Sequence, residues 1–252
     1  MLKRLAKRIN YVVQRIYFQG ARYICPICNY RARAMYLIGL DVPVIREKAI
    51  AGAGRRKAGC YQCHSTDRER LVYVYLRHHL NMLGNRHAKI LHLAPEKSLS
   101  KALSKIGYNS YICGDFFTEG YDYPWHVEQM DILNLPFPNN YFDLIIANHI
   151  LEHIPEDHKA MTEIHRALKV GGKAILQVPI SQNSVETYED FTITDPEARE
   201  LAFGQFDHVR IYGKDYQERL RSAGFGVAIY RLAQEYPKYG LSAVEELYVG
   251  EK

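Results

Sequence analysis

Residues 127–179, VEQMDILNLPFPNNYFDLIIANHILEHIPEDHKAMTEIHRALKVGGKAILQVP, decide the fold because they contain two apolar strands around a helix. The run 142–148 (FDLIIAN) has the length and apolar character of a buried strand. Residues 155–169 place apolar side chains at helical spacing, and a Gly-Gly pair ends the helix before a second strand at residues 173–178. This order predicts a right-handed βαβ unit of a parallel sheet.

With these elements, residues 127–180 resemble the class I S-adenosylmethionine-dependent methyltransferases. In that family an acidic residue after the third strand faces the adenine, an FDLI-type fourth strand delivers catalytic or cofactor-contacting residues, and a helix ending in Leu-Lys-x-Gly-Gly precedes the fifth strand. Asp131, residues 142–148 and residues 168–172 match these three features. The resemblance implies an α/β fold with a Rossmann-like, doubly wound, mostly parallel seven-stranded sheet and S-adenosylmethionine as the methyl donor.

Length and cysteine usage limit the class of protein. A chain of 252 residues accommodates one catalytic domain and a small appendage. No apolar run approaches the roughly 18 to 20 residues of a membrane span, and no secretory signal is evident. Five cysteines without an export signal indicate a reducing compartment, so we expect a cytoplasmic protein.

The net charge of +5 is unevenly distributed. Residues 1–70 hold 15 Lys and Arg against 4 Asp and Glu, whereas residues 71–252 hold 18 against 24. A basic appendage on an acidic domain suggests a polyanionic partner such as RNA or an anionic membrane surface, or else a solvated basic face without a partner.

The first segment predicts a basic amphipathic helix over residues 1–20. Its apolar side chains recur every three or four positions, with basic residues largely between them: Leu2, Leu5, Ile9, Val12 and Ile16. Such a helix can lie on a membrane through residues 2–16, line a nucleic-acid groove, or pack its apolar stripe on the rest of the protein.

Two Cys-x-x-Cys pairs, Cys25 with Cys28 and Cys60 with Cys63, predict a structural zinc site. Four thiolates close a tetrahedral shell around zinc and leave no position for a reacting water. The alternative is a pair of disulfides or free thiols, and His64 is a further ligand candidate. We expect a zinc-ribbon-like module over residues 21–68 and a methyltransferase domain over residues 69–252.

The donor site is expected at the ends of the first strands. Residues 89–94 form the first strand, but Pro95 and Glu96 follow where most methyltransferases carry glycines. We assign donor contacts to Ala94 and to Glu96, which either meets the donor's ammonium group or only starts the next helix. Four further contacts follow later strands. Asp115 is expected on the ribose hydroxyls, the resemblance places Asp131 and the Ile132 backbone on the adenine, and Asn148 ends the fourth strand.

The acceptor side is expected around the fourth strand and a long insertion. His149, Glu152 and His153 follow the strand directly, and either a neutral imidazole or a carboxylate there can take a proton from an attacking hydroxyl or amine. The insertion, residues 181–213, has the length of a substrate lid and carries His208. The candidate catalytic residues are His149, His208 and Glu152; the alternative is that they serve only the local fold.

These features predict an S-adenosylmethionine-dependent methyltransferase acting on an oxygen or nitrogen acceptor, either a small molecule or sugar or an RNA. The layout also resembles some ribosomal RNA methyltransferases with a basic zinc-bearing appendage, whereas a long lid suits a small acceptor. The competing class is a non-catalytic binding or scaffold protein on a degenerate methyltransferase fold, which the missing glycine loop suggests.

Overall fold

The computed structural model describes residues 2–118 and 123–252. The amino-terminal part contains one long helix and two small antiparallel ribbons, in which β1 pairs with β2 and β3 with β4. Its elements are α1 (Leu2–Tyr17), β1 (Gln19–Ile24), β2 (Arg31–Ala32), β3 (Tyr36–Ile38), α2 (Pro43–Glu47) and β4 (Arg56–Gly59). The two Cys-x-x-Cys pairs lie in the turns that follow β1 and β4.

Helix α1 follows the predicted span but exposes part of its apolar stripe. Val12 and Ile16 are 44% and 64% exposed, so these two side chains are not packed into the protein's own core. The side chains of Leu2, Leu5 and Ile9 lie outside the described residues. No helix of the described residues is long and apolar enough to cross a membrane.

Helix α3 (Asp67–His78) links the cysteine segment to the main domain. Thr66 and Glu69 form a capping box that fixes its first turn. Its Arg70 is fully buried and donates to the carbonyl oxygens of Ser65, Tyr239 and Gly240, joining the second cysteine knuckle to the carboxyl-terminal region.

The main domain is a seven-stranded sheet in the order β12-β13-β9-β8-β5-β6-β7. All neighbouring pairs are parallel except those of β13, which is antiparallel to both neighbours. The predicted doubly wound, mostly parallel seven-stranded sheet is therefore confirmed. The elements in chain order are β5 (Lys89–Leu93), α4 (Lys97–Ser104), β6 (Ser110–Asp115), β7 (Val127–Gln129), β8 (Phe142–Ala147), α5 (Asp157–Ala167), β9 (Leu168–Ile175), β10 (Tyr188–Glu189), α6 (Pro196–Phe203), β11 (Arg210–Ile211), α7 (Tyr216–Ser222), β12 (Gly226–Tyr230), α8 (Leu232–Glu235) and β13 (Leu247–Glu251).

One predicted boundary is wrong. Helix α5 ends at Ala167, and β9 begins at Leu168 rather than at residue 173. The Gly-Gly pair lies inside the strand, where the register shifts against β8 and Gly171 adopts a left-handed φ of 75°. A Cβ on Gly172 would stand 2.8 Å from the carbonyl oxygen of Lys169. The glycines therefore allow an irregular strand entry instead of ending the helix.

Two apolar cores cover the two faces of the sheet. Strand β8 contributes to both, since Ile145 and Ala147 pack in one cluster with α5 and Leu144 and Ile146 in the other with α3 and α4. A strand buried on both faces explains why FDLIIAN is a continuous apolar run. A third, smaller cluster joins the insertion to the cysteine segment through Phe203 and Ile50.

Candidate active site and metal centre

The four predicted metal ligands come together. The sulfur atoms of Cys25 and Cys63 are 3.6 Å apart, those of Cys28 and Cys60 are 3.7 Å apart, and all four lie within 4.8 Å of one another. The cysteines form no disulfide. Zinc–sulfur bonds of about 2.3 Å in a tetrahedron give sulfur separations of about 3.8 Å, so this donor set fits zinc.

The two cysteine turns have the same backbone geometry. Asn29 and His64 follow the second cysteine of each pair, and both are left-handed, with φ of 60° and 64°. Each donates its backbone N–H to the carbonyl oxygen of the first cysteine, Cys25 or Cys60. His64 is thus a turn residue whose ring lies tilted against Tyr11, and this candidate for replacing one of the sulfurs is not part of the sulfur cluster.

In the turn after β5, a strained alanine lies where most methyltransferases carry glycine. Ala94 adopts a left-handed φ of 43°, a conformation that glycine takes freely and alanine takes at a cost. The backbone therefore keeps the sharp turn at the carboxyl end of the first strand. Strain of this kind concentrates at functional sites.

Glu96 is held at the same edge of the sheet by two partners. Its Oε2 lies 2.9 Å from His92 Nε2, and its Oε1 accepts a hydrogen bond of 2.9 Å from Asn148 Nδ2. The other nitrogen of His92 contacts Tyr111 Oη at 2.8 Å. These contacts lower the pKa of Glu96 against the opposing effect of burial, which is the largest single influence. The result is an ionised, fixed carboxylate beside the first and fourth strands.

The start of α4 is tied to the cysteine segment. Glu69 Oε1 accepts hydrogen bonds from the backbone N–H groups of Ser98 and Leu99, at 2.9 and 3.1 Å. The Ser98 hydroxyl also donates to the carbonyl oxygen of Cys63 at 2.7 Å. A carboxylate at a helix start satisfies its free N–H groups, so α4 receives its cap from α3, the helix that follows the cysteine segment.

Asp115 and Asp131 lie at the ends of the next two strands. Asp115 is the last residue of β6, and burial raises its pKa although Phe116 donates a backbone hydrogen bond to its Oδ1. Asp131 accepts the Leu133 backbone N–H at 2.8 Å in a turn after β7, which uses one of its two oxygens. Ile132 is 8% exposed.

A large, partly open cavity lies at the carboxyl ends of β5 and β8, and its lining residues do not include Asp115, Asp131 or Ile132. Its volume is about 1350 Å³, and it is bordered by the cysteine segment, the turn after β5, the segment after β8 and the insertion. Representative lining residues from these four parts are His64, Arg68, Ala94, Glu96, Asn148, His149, Glu152, Gln205 and His208. Ligands of open α/β sheets bind outside the carboxyl ends of the strands, where this cavity lies.

His149 lies between two buried carboxylates. Its Nδ1 is 3.3 Å from Glu152 Oε1, and its Nε2 is 3.8 Å from Glu245 Oε1. The residue also adopts a left-handed φ of 52°. Both ring nitrogens face carboxylates, but neither forms a hydrogen bond with the described residues. His149 thus has unpaired ring nitrogens at the cavity, and its place between two carboxylates is compatible with positioning as well as with proton transfer.

His208 has a different environment. Its ring packs edge-on against His153 with centroids 4.6 Å apart, and no side-chain hydrogen bond joins it to the described residues. Burial is the main reason why the pKa of His208 falls to about 4, with smaller effects from Glu152, His153 and Asp207. The imidazole is therefore neutral and can accept a proton, but its low pKa makes it a weak base in this state of the site.

The insertion is anchored by Arg210 and Tyr212, two and four residues after His208. The Arg210 guanidinium donates to Glu189 and to the carbonyl oxygens of Leu151 and Pro155. Tyr212 donates its hydroxyl hydrogen to Asp157 Oδ2 at 2.8 Å. These buried contacts fasten the insertion to the segment after β8, and His208 is thereby held at the cavity wall.

Several polar atoms near the cavity have no protein partner among the described residues. They include one side-chain oxygen each from Asn148, Glu152, Gln177 and Glu245. Buried oxygens are seldom left unpaired unless water, an ion or a ligand meets them. The clustering of these unpaired oxygens marks this part of the protein as a binding region.

Some residues at or near the cavity could not be recognised as functional from the sequence. Arg68 and Glu69 follow the second cysteine pair but look like ordinary helix-start charges, and Glu245 lies in a connecting segment far along the chain. His92 could have been found, since it precedes Glu96 by four residues in the first strand. Its partner Tyr111 comes from the neighbouring strand and required the fold.

Comparisons with known proteins agree with this architecture. Residues 96–176 match a family model described as a methyltransferase domain. An uncharacterised protein of Methanocaldococcus jannaschii is 42% identical over 66 residues, which is 25% of this chain and 28% of that protein. The ubiquinone/menaquinone biosynthesis C-methyltransferase of Vibrio cholerae is 31% identical over 70 residues, 27% of each chain. The chain therefore spans about a quarter of the length of these curated relatives.

A solved structure shows the same fold over a larger part of the chain. The 1,6-didemethyltoxoflavin-N1-methyltransferase of Burkholderia thailandensis, with bound 1,6-didemethyltoxoflavin and S-adenosylhomocysteine, has a TM-score of 0.51 at 19% identity. The similarity covers 73% of this chain and 78% of that one. Together with the strand order, this shows that the chain has the fold of the class I S-adenosylmethionine-dependent methyltransferases, within which residues 96–176 match the methyltransferase-domain model.

Proposed function

We propose that the protein transfers a methyl group from S-adenosylmethionine to an oxygen or nitrogen atom of a small molecule or sugar. The observation that carries the proposal is the Glu96 carboxylate, fixed by His92 and Asn148 at the carboxyl edge of the sheet. The amino-acid end of the donor carries a cationic ammonium group. An ordered carboxylate in the place of the glycine loop can accept hydrogen bonds from that group. It also argues against a degenerate, non-catalytic scaffold, the alternative function.

The donor would be held along the ends of three neighbouring strands. Glu96 would accept from its ammonium group and Asp115 from its ribose hydroxyls, while Asp131 and the Ile132 backbone would meet the adenine, as in the family that the sequence resembles. Ala94 supports this arrangement, because its left-handed turn at the cavity brings the backbone close to the site with only a methyl group as side chain.

S-adenosylmethionine supplies a methyl group on a sulfonium, which leaves as a neutral thioether when the acceptor's lone pair forms the new bond. The protein's own contribution is alignment and proton removal. His208 would take the proton from the acceptor hydroxyl or amine, since its ring nitrogen is free and neutral. Glu152 would hold His149 in place at the cavity floor.

The walls of the cavity favour a small acceptor over RNA. The cysteine segment and the insertion both line the cavity and pack together through Phe203 and Ile50. A concave space bordered on four sides suits a small molecule or sugar, whereas an RNA strand needs a groove with a series of stacking aromatic residues, and only Tyr73 and Phe203 are aromatic among the described lining residues. The exposed, basic α1 remains the part of the chain that a polyanion would meet.

We further propose that the four cysteines hold a structural zinc ion in a cytoplasmic protein. Four converging thiol sulfurs without a disulfide support this assignment. Thiolates that fill all four positions would give zinc a role in holding the fold rather than in the reaction.

A methyl-transfer screen tests the function. The protein would be incubated with methyl-labelled S-adenosylmethionine and pools of sugars, phenols, amines and total RNA, and labelled products would be separated by size. We expect label in a small product, lost in His208→Gln but retained in His87→Gln, a histidine outside the cavity. Label only in RNA would contradict the small-acceptor proposal, and no label with any pool would favour the scaffold alternative.

A further inference from the structure

The arginines that line the cavity differ in how they are bonded. Arg56 forms two hydrogen bonds of 2.7 Å with the Asp67 carboxylate, and Arg210 is bonded to Glu189 and to backbone carbonyls. Arg68 donates only its Nε hydrogen, to the carbonyl oxygen of Gly52. Neither terminal amino group of Arg68 has a hydrogen-bond partner among the described residues.

Arg68 is positioned rigidly by its surroundings. It is the second residue of α3, directly after the second cysteine knuckle, and the capping box at Thr66 and Glu69 fixes that turn. The side chain is only partly exposed, and it lines the cavity. Because only the Nε hydrogen of Arg68 is bonded, to Gly52, the two terminal amino groups form the free side of the guanidinium.

The nearby carboxylates do not occupy this free side. Glu245 and Glu152 act on Arg68 through their charges, but neither forms an ion pair or a hydrogen bond with it. Glu245 instead accepts a hydrogen bond from Gln177 and faces His149. A guanidinium that served only to neutralise Glu245 would form a direct ion pair with it, and none is formed among the described residues.

We propose that Arg68 is a carboxylate- or phosphate-binding residue of the cavity, contributed to the methyltransferase site by the cysteine module. A guanidinium with two adjacent free N–H groups matches a pair of anionic oxygens. Lys97 and Lys101, one helical turn apart on α4, line the same cavity and add positive charge near its opening. The site is unlike a solvated basic face, since Arg68 is ordered and partly buried.

This inference rests on the proposed function, and the anion has two possible sources. One is the α-carboxylate of the donor, which would place the donor's ammonium near Glu96 and its carboxylate near Arg68. The other is an acidic group on the acceptor, such as a sugar phosphate or a carboxylate. Both give the same contact, so ligands that differ in the anionic group separate them.

The first arm compares two nucleosides on wild type, Arg68→Gln and Arg68→Lys. S-adenosylhomocysteine carries the α-carboxylate, and 5′-methylthioadenosine lacks the whole amino-acid end. If the donor is the source, Arg68→Gln weakens S-adenosylhomocysteine binding by roughly tenfold to a hundredfold and leaves 5′-methylthioadenosine unchanged. Arg68→Lys should lose less affinity for S-adenosylhomocysteine, since lysine keeps the positive charge but lacks the paired N–H groups of the guanidinium.

The second arm measures thermal stabilisation by inorganic phosphate at constant ionic strength. If the acceptor is the source, phosphate raises the midpoint of wild type and of Arg77→Gln, an exposed arginine on the same helix, but not of Arg68→Gln. The proposal is overturned if Arg68→Gln and Arg68→Lys match wild type in both arms. Because the phosphate arm needs no donor, wild type that binds neither nucleoside would refute the proposed function and leave this inference testable.

Discussion

The hydroxyl of Ser98 donates a hydrogen bond of 2.7 Å to the carbonyl oxygen of Cys63. One of these residues opens the helix after the first strand, and the other is a proposed zinc ligand. Glu69, in the helix between the two modules, accepts from the N–H groups of Ser98 and Leu99. The cysteine module therefore shapes the loop that we propose to bind the donor.

Metal removal should consequently weaken donor binding although the proposed zinc takes no part in the reaction. We expect a chelator to release about one zinc per chain and to lower the affinity for S-adenosylhomocysteine at least severalfold. Ser98→Ala should lower it in the zinc-bound protein, whereas Ser104→Ala, at the other end of α4, should not. Unchanged affinity after verified zinc loss would mean that the two modules are uncoupled.

Ala94→Gly should stabilise the protein. Alanine at a φ of 43° is strained, and glycine relieves this strain by about 1 kcal/mol, less the entropy that glycine adds to the unfolded chain. We expect the free energy of unfolding to rise by a few tenths of a kcal/mol, about 0.5 kcal/mol at most. Ala102→Gly, inside α4, should instead lower it by about 1 kcal/mol. Equal losses in both variants, measured by urea unfolding, would argue against a strained Ala94.

Arg210→Met should detach the insertion. Removing the buried guanidinium leaves Glu189 with Arg219 alone and takes a donor from the carbonyl oxygens of Leu151 and Pro155, at a cost of about 3 kcal/mol in unfolding free energy. Arg221→Met removes an exposed arginine paired with Glu218 and should change stability by less than about 1 kcal/mol. We expect limited proteolysis to cut residues 181–213 faster in Arg210→Met alone; identical digestion of the two variants would contradict the anchoring role.

Protonation of His208 should oppose folding. Burial lowers its pKa to about 4 from the usual 6.5, so the unfolded chain binds the proton first as the pH falls. The stability from neutral His208 is present above about pH 6.5 and lost towards pH 4, by roughly 2 to 3 kcal/mol. His208→Gln should remove this part of the pH dependence, although Glu152, His153, Asp207 and His149 also face the ring. Parallel stability curves for the two proteins between pH 4 and 7 would disagree with a buried neutral ring.

The fold was largely predictable because local pattern determines it. Apolar runs such as FDLIIAN and the helical spacing in α5 predict the order of strands and helices. The cysteine spacing predicts the metal cluster. The boundary at Gly171 was missed because a Gly-Gly pair ends helices and also permits irregular strands. The structure alone disclosed Arg68 and Glu245, since their meaning depends on packing between segments far apart in the chain.

The site was only partly predictable for the same reason. Glu96 and His208 could be selected by their place after a strand and in a long insertion. The distinction between His149 and His208 as proton acceptor depends on which partners surround each ring, and sequence does not contain that information. Likewise, the chain Tyr111, His92 and Glu96 joins two strands and one turn through side-chain contacts.

Calorimetric titration with S-adenosylhomocysteine tests the central claim most directly, on wild type, Glu96→Gln, Asp115→Ala and the surface control Glu197→Gln. We predict micromolar binding, about −8 kcal/mol, by wild type and the control, and clear weakening in the other two variants. Binding that is undetectable in wild type, or equally strong in all four proteins, would contradict a donor site at the carboxyl ends of these strands.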